Sequence, residues 1–190
     1  SKFFLILNLF YFFSCGEMKN EEKLNVLFLS AGSGEPNSSH NGKINHHKLK
    51  PSFLRNNMNI TYSSNINLLS VNILPKYDAI IMYLGAPNEE PERISALINY
   101  VENGGGLVAL HNTSAAFGGD KDFVNLIGGE FDRHGSGRFK ARIINGKENH
   151  PALKGVAEFE VWDETYVHKN LNEDRIDLMV RDENGSSEPW

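Results

Sequence analysis

Cysteine is almost absent from this sequence: Cys15 is the only one in 190 residues, so no intramolecular disulfide can form in any compartment. Positive charge is short as well. Lys and Arg number 19 against 24 Asp and Glu, giving a formal net charge of -5 and a pI near 5.8. No Lys/Arg stripe compensates locally, so nothing is laid out to hold a phosphate backbone and nucleic acid is excluded as a partner. No apolar run reaches the roughly 20 residues that a bilayer-spanning helix needs. Repeats, low-complexity tracts and linkers are missing after residue 24, and no helix carries a His-x-x-x-His pair.

What is present, 40% hydrophobic and 23% charged residues, is the composition of one ordinary globular domain. The N-terminus departs from it. Phe3 to Phe13 is almost wholly apolar, follows Lys2 and ends at Ser14-Cys15-Gly16, the layout of a secretory signal peptide. A small residue before the only cysteine resembles a lipoprotein signal, whose cysteine is lipidated and becomes N-terminal after cleavage. Phe12 departs from the leucine usual three positions before that cysteine. An uncleaved anchor helix and a buried core segment are the competing readings, the anchor being short at about eleven apolar residues. The expectation is a signal peptide over 1–15 with Cys15 as lipidation site, a polar tether over 16–23 and a domain over 24–190. The protein would then be exported and membrane-anchored, in the periplasm or at the cell surface. The chain opens on Ser1 and stops at Trp190 without a helix cap or polar tail, so a fragment clipped at both ends is expected.

Leu24 to Ser30 is apolar and β-favouring and runs into Ala31-Gly32-Ser33-Gly34, as a buried parallel strand feeding a loop does. A loop containing His40 follows. His46, His47, Leu49, Phe53 and Leu54 then suggest a short amphipathic helix with Pro51 in its first turn. Ile60 to Tyr62 is a short second strand, and Tyr77 to Leu84 is a stronger, central one. Ile94, Leu97, Ile98 and Val101 recur at helical spacing until Gly104-Gly105-Gly106 ends the helix. Leu107 to His111 follows as a strand with a histidine at its C-terminal tip. Strands alternating with helices at this interval imply βαβ units and a parallel sheet, with ligands bound beyond the carboxyl ends of the strands. The rest is less regular: a short helix at 123–127, a Gly128-Gly129 break, and strands near 138–144 and 176–180.

The neighbourhood of the segment Gly104 to Thr113 is where a glutamine amidotransferase relative places its nucleophile elbow, a sharp turn after a central strand whose strain exposes a thiol or hydroxyl beside a base. Here it holds His111, Asn112, Thr113 and Ser114, which argues against amidotransfer by thiolate. Four segments in order, Gly104-Gly-Gly-Leu-Val-Ala-Leu-His111, Leu126-Ile-Gly-Gly-Glu-Phe-Asp-Arg-His134, Asn149-His-Pro-Ala-Leu-Lys-Gly-Val156 and Asp163-Glu-Thr-Tyr166, are similar to successive motifs of the ThuA-like family. The resemblance extends from about Leu24 to Trp190. It implies a flavodoxin-like α/β three-layer sandwich with a central, mostly parallel sheet, as in class I glutamine amidotransferases. Family members continue past a Glu-Pro-Val-x-Trp segment to a further strand, so at least one C-terminal strand is expected to be missing after Glu188-Pro189-Trp190.

Carried over residue by residue, the resemblance marks His111, His134, Asp163, Glu164 and Tyr166 as lining the pocket, with His46 or His47 from the region after the first strand. His111 and Glu164 are the catalytic candidates, as acid and base; His47, His134, Asp163 and Tyr166 are candidates for holding the substrate. Plainer readings stand beside these. The plainer reading of His111 is a buried imidazole bonded to its loop, against which its place at a strand's carboxyl end favours facing a ligand; His134, beside Gly135-Ser-Gly137, serves equally as a solvated loop residue. Trp162 and Tyr166 either stack a sugar ring or fill the core. Imidazole and carboxylate suit zinc or iron, yet the histidine spacing by itself specifies no metal site, so the cofactor is left open, a divalent metal included. The family's name derives from trehalose utilisation, which implies a small carbohydrate as partner. The expected activity is binding or hydrolysis of a sugar or glycoside, the alternative being a non-catalytic carbohydrate-binding or scaffold domain.

Overall fold

The computed structural model describes residues 22–32, 40–85, 90–183 and 186–189. The expected signal segment, Cys15 and most of the tether lie outside the described residues. Among the described residues no helix is long and apolar enough to cross a membrane.

The first strand, β1 (Leu24–Leu29), sends successive side chains to opposite faces. Val26 and Phe28 join one apolar cluster, Leu27 and Leu29 the other. Both faces are therefore buried, as the continuous apolar run requires. Each fully buried leucine contributes about 1.5–3 kcal/mol.

One face is covered by α1 (Gly42–Arg55), whose first turn is capped by the Asn41 side chain accepting from the Ile44 N–H. Pro51 lies inside this helix rather than in its first turn. The helix begins further upstream because Asn41 provides the cap, and Pro51 is exposed, so its ring meets solvent. The next strand, β2 (Met58–Ser63), runs parallel to β1. The strand β3 (Ala79–Met82) pairs on the other side of β1, and β4 (Gly106–Ala109) pairs with β3. Between them α2 (Pro91–Glu102) starts at a proline and buries Ile94, Leu97 and Tyr100 at three-residue spacing. Gly104, at φ +94, turns the chain out of α2.

The strand order β2-β1-β3-β4 reverses direction of growth between β1 and β3. That places a topological switch at their carboxyl ends, the usual ligand crevice of an open parallel sheet.

After β4 an irregular stretch, His111–Gly119, leads into α3 (Lys121–Ile127), capped by Asp120 and ended by Gly128 at φ +93. Four strands then form a second, antiparallel sheet: β5 (Glu130–Ile143), β6 (Phe159–Lys169), β7 (Met179–Glu183) and β8 (Ser186–Pro189), in the order β6-β5-β7-β8. The sequence pattern gave only the end of β5 and left His134 on a loop. In the fold β5 runs straight through Gly135-Ser-Gly137, because β6 pairs with it continuously from Gly135↔Thr165 to Ala141↔Phe159. Long-range pairing thus overrides the loop-like local composition.

Candidate functional site

The tip of β4 is fastened to β3. The buried Thr113 hydroxyl donates to the Met82 carbonyl and accepts from the Leu84 N–H, both at 2.9 Å. The Leu110 N–H also donates to the Met82 carbonyl, at 2.9 Å. Held between these bonds, His111 adopts φ +50, a left-handed conformation costing a non-glycine residue about 1–3 kcal/mol. The strained position expected for a nucleophile is therefore occupied by the imidazole itself. The Ser114 hydroxyl donates to the His111 carbonyl at 3.1 Å.

Strand β6 brings the carboxylate. Glu164 and Tyr166, two residues apart, share one face of the strand. Glu164 Oε2 lies 3.6 Å from His111 Nε2, and its Oε1 lies 3.9 Å from His134 Nε2. The Tyr166 hydroxyl is 3.4 Å from His111 Nε2, and the two rings stack at 5.0 Å. Behind them, the buried Arg181 guanidinium donates to the Tyr166 carbonyl and lies over the Phe139 ring, 5.7 Å from its centre. This anchors β6 at the residue that touches His111.

The carboxyl ends of β1 and β3 bring two more rings against His111. The His40 ring lies parallel to that of His111, with centres 5.0 Å apart and 11° between planes, and Tyr83 stacks at 5.8 Å. The start of α1 comes unusually close to β1: a Cβ on Gly42 would fall 1.7 Å from the Ser30 hydroxyl oxygen. Only glycine allows that approach.

Burial lowers the His111 pKa, against an opposing pull from Glu164 that raises it; the imidazole is therefore neutral at neutral pH. Burial and then the Glu164 charge push the Tyr166 pKa up, so its hydroxyl keeps its proton and stands as a donor. The His111 and Glu164 side chains are each 30% exposed, leaving both accessible from a cavity of about 1110 Å³ that Tyr83, Trp162 and Asp163 also line.

A family model described as trehalose utilisation, ThuA, matches residues 25–189. The chain belongs to the ThuA family. Two solved structures share the ThuA fold. A ThuA-like protein from Bacteroides uniformis ATCC 8492 superposes with a TM-score of 0.70 at 20% identity, covering 87% of this chain and 75% of that one. A ThuA-like protein from Parabacteroides merdae ATCC 43184 gives 0.68 at 17% identity, over 88% and 73%. A search of curated proteins finds no match.

In this ThuA domain the structure gathers His111, His134, Glu164 and Tyr166 into one cluster. Asp163 lies beside it on the cavity wall, its carboxylate accepting from the Glu164 N–H at 2.8 Å. His47 is not brought to the cluster: it is exposed on α1. The preceding His46 turns inward among Phe28 and Tyr62. One step along a helix rotates the side chain by about 100°, which separates the two.

Sequence reasoning missed His40 as a site residue, although its place in a Gly/Asn/Ser-rich loop after a buried strand was the available signal. Trp162 had a core reading open to it, and the structure leaves it 67% exposed on the cavity rim. Among the described residues, His40, His111 and Glu164 form the group able to hold a metal, with ligand atoms all within 4.8 Å of one another.

Proposed function

We propose that this ThuA domain binds a sugar or glycoside in the cavity beyond the strand ends and acts on it in carbohydrate utilisation, with His111 and Glu164 at the reacting centre. The observation that carries the reading is the convergence of Glu164 on the strained His111, 3.6 Å apart, on the floor of the cavity. A carboxylate and a neutral imidazole in such reach can exchange a proton with a substrate oxygen. Tyr166 and Asp163 supply a donor and an acceptor for hydroxyls. The exposed Trp162 offers an apolar face on which a pyranose ring can stack, at the rim where one side of the sugar remains wet.

Export and a lipid anchor at Cys15 belong to the same proposal, supported by Lys2, the apolar run Phe3 to Phe13 and the small Ser14. Incorporation of a labelled fatty acid, lost in Cys15→Ser, tests it; an unlabelled wild-type protein would contradict it.

The catalytic reading is tested by release of reducing sugar from a panel of disaccharides and aryl glycosides. Glu164→Gln removes the proton-accepting group with little change of shape, and turnover is expected to fall about 10²–10⁴-fold. Undiminished turnover in that variant would remove Glu164 from the reaction. A binding domain without turnover is the second reading, favoured by the lack of any cysteine at the strained turn. It predicts sugar binding that survives Glu164→Gln and no product from any member of the panel.

A further inference from the structure

We infer that His40, His111 and Glu164, the last two of which line this cavity, form a binding site for one divalent transition-metal ion, zinc or a relative. Three parts of the chain remote in sequence deliver these groups. His40 comes from the loop that follows β1, His111 from the tip of β4, and Glu164 from the middle of β6. Their ligand atoms nonetheless lie within 4.8 Å of one another. The histidine rings stack with centres 5.0 Å apart and 11° between planes; imidazole lone pairs lie in the ring plane, so one ring turns when both nitrogens hold the same ion.

Two imidazoles and one carboxylate are the donor set of open catalytic zinc sites and of the iron-binding facial triad. Bonds of about 2.0–2.1 Å require the ligand atoms to draw in from their present spacing. Glu164, 30% exposed, has the freedom to do so.

The surroundings fit an ion better than they fit a bare ion pair. Among the described residues the ion-pair contacts of Glu164 are with the imidazoles of His111 and His134. A carboxylate among three histidines, His40 included, is a place where a divalent charge would be compensated. The two oxygens are also differentiated: Oε2 faces His111, and Oε1 faces His134 at 3.9 Å. Orientation of a ligating carboxylate by its second oxygen is a common supporting contact. Three protein ligands leave an open position for water or a substrate oxygen, within reach of the Tyr166 hydroxyl. With an ion bound, His111 and Glu164 are its ligands; the proton exchange with a substrate oxygen belongs to the ion-free floor.

The inference shares its floor with the proposed function but is tested without any sugar, so either can fail alone. The full chain is stripped with chelator, re-equilibrated with Zn²⁺ or Co²⁺, and assayed for bound metal and for the Co²⁺ absorption spectrum. The expected result is about one ion per chain and the intense visible bands of a four- or five-coordinate Co²⁺. Affinity should drop at least roughly tenfold in each of His40→Ala, His111→Ala and Glu164→Gln. His47→Ala, on the solvent face of α1, should bind like wild type. Failure of the wild-type chain to retain an ion, or a Co²⁺ spectrum of an all-oxygen octahedral complex, would overturn the inference whatever the variants do. So would wild-type affinity in folded His40→Ala.

Discussion

The Tyr166 hydroxyl lies 3.4 Å from His111 Nε2 across a separation of 55 residues, with the two rings stacked at 5.0 Å. This contact joins the parallel sheet to the antiparallel one. His111 closes β4 of the first and Tyr166 sits in β6 of the second, so the cluster forms only where both sheets are in place. Arg181, donating to the Tyr166 carbonyl from β7, stiffens the antiparallel side. Thr113 does the same for the parallel side.

Thr113→Val tests that second support. The substitution keeps the volume but leaves the Leu84 N–H and the Met82 carbonyl without the hydroxyl that bonds both. Stability should fall by about 1–3 kcal/mol, read as a lower urea midpoint at unchanged m-value. An unchanged midpoint would mean that the turn holding His111 does not depend on this hydroxyl.

Trp162→Ala separates binding from folding. With the side chain 67% exposed, its removal should leave stability within about 0.5 kcal/mol. Sugar affinity should weaken by about 1 kcal/mol, roughly fivefold. Titration calorimetry checks the second number; equal affinity in the two proteins would remove the indole from the binding site.

His46 predicts an acid-side loss of stability. Its ring is buried against Phe28 and Tyr62, and its Nε2 has no hydrogen-bond partner among the described residues. Burial first, then His47 and Lys50, lowers its pKa from the ordinary value of 6.5. The folded value lies below the unfolded one, so the unfolded chain takes up the proton first as pH drops. Stability should decline as pH falls through the ordinary imidazole range, and the decline is complete once pH is below the folded pKa. In His46→Leu the loss of melting temperature between about pH 7.5 and about pH 5 should be smaller than in wild type. An identical pH profile would assign the acid sensitivity to other groups.

The parallel half of the fold was legible in the sequence because each buried strand is a continuous apolar run and each helix is bounded by proline, asparagine or glycine. Residues 26–29 and 79–82 alone carry much of that signal. The antiparallel half was legible only in part: strands near 138–144 and 176–180 were expected and overlap β5 and β7, but β5 also passes through Gly135 and Gly137, whose composition reads as a loop, and that stretch owes its strand identity to pairing with β6. Motif likeness pointed to His111, Glu164 and Tyr166, but nothing local could show that they meet. His40 was hidden for the same reason: its stacking on His111 depends on how β1 and β4 lie in the sheet. The choice between His46 and His47 turned on the phase of a helix whose start is set by the Asn41 cap, upstream of where Pro51 suggested.

The central claim, a sugar seated on the His111 and Glu164 floor, is tested most directly by thermal melting of the chain against mono- and disaccharides and their oxidised keto forms. A ligand that binds only the native state raises the midpoint, by an amount corresponding to about 2.7 kcal/mol at a hundredfold excess over its dissociation constant. A reproducible rise with at least one of these sugars, abolished in His111→Ala, is expected; no rise with any of them, or a rise that His111→Ala retains in full, would overturn the proposed sugar site.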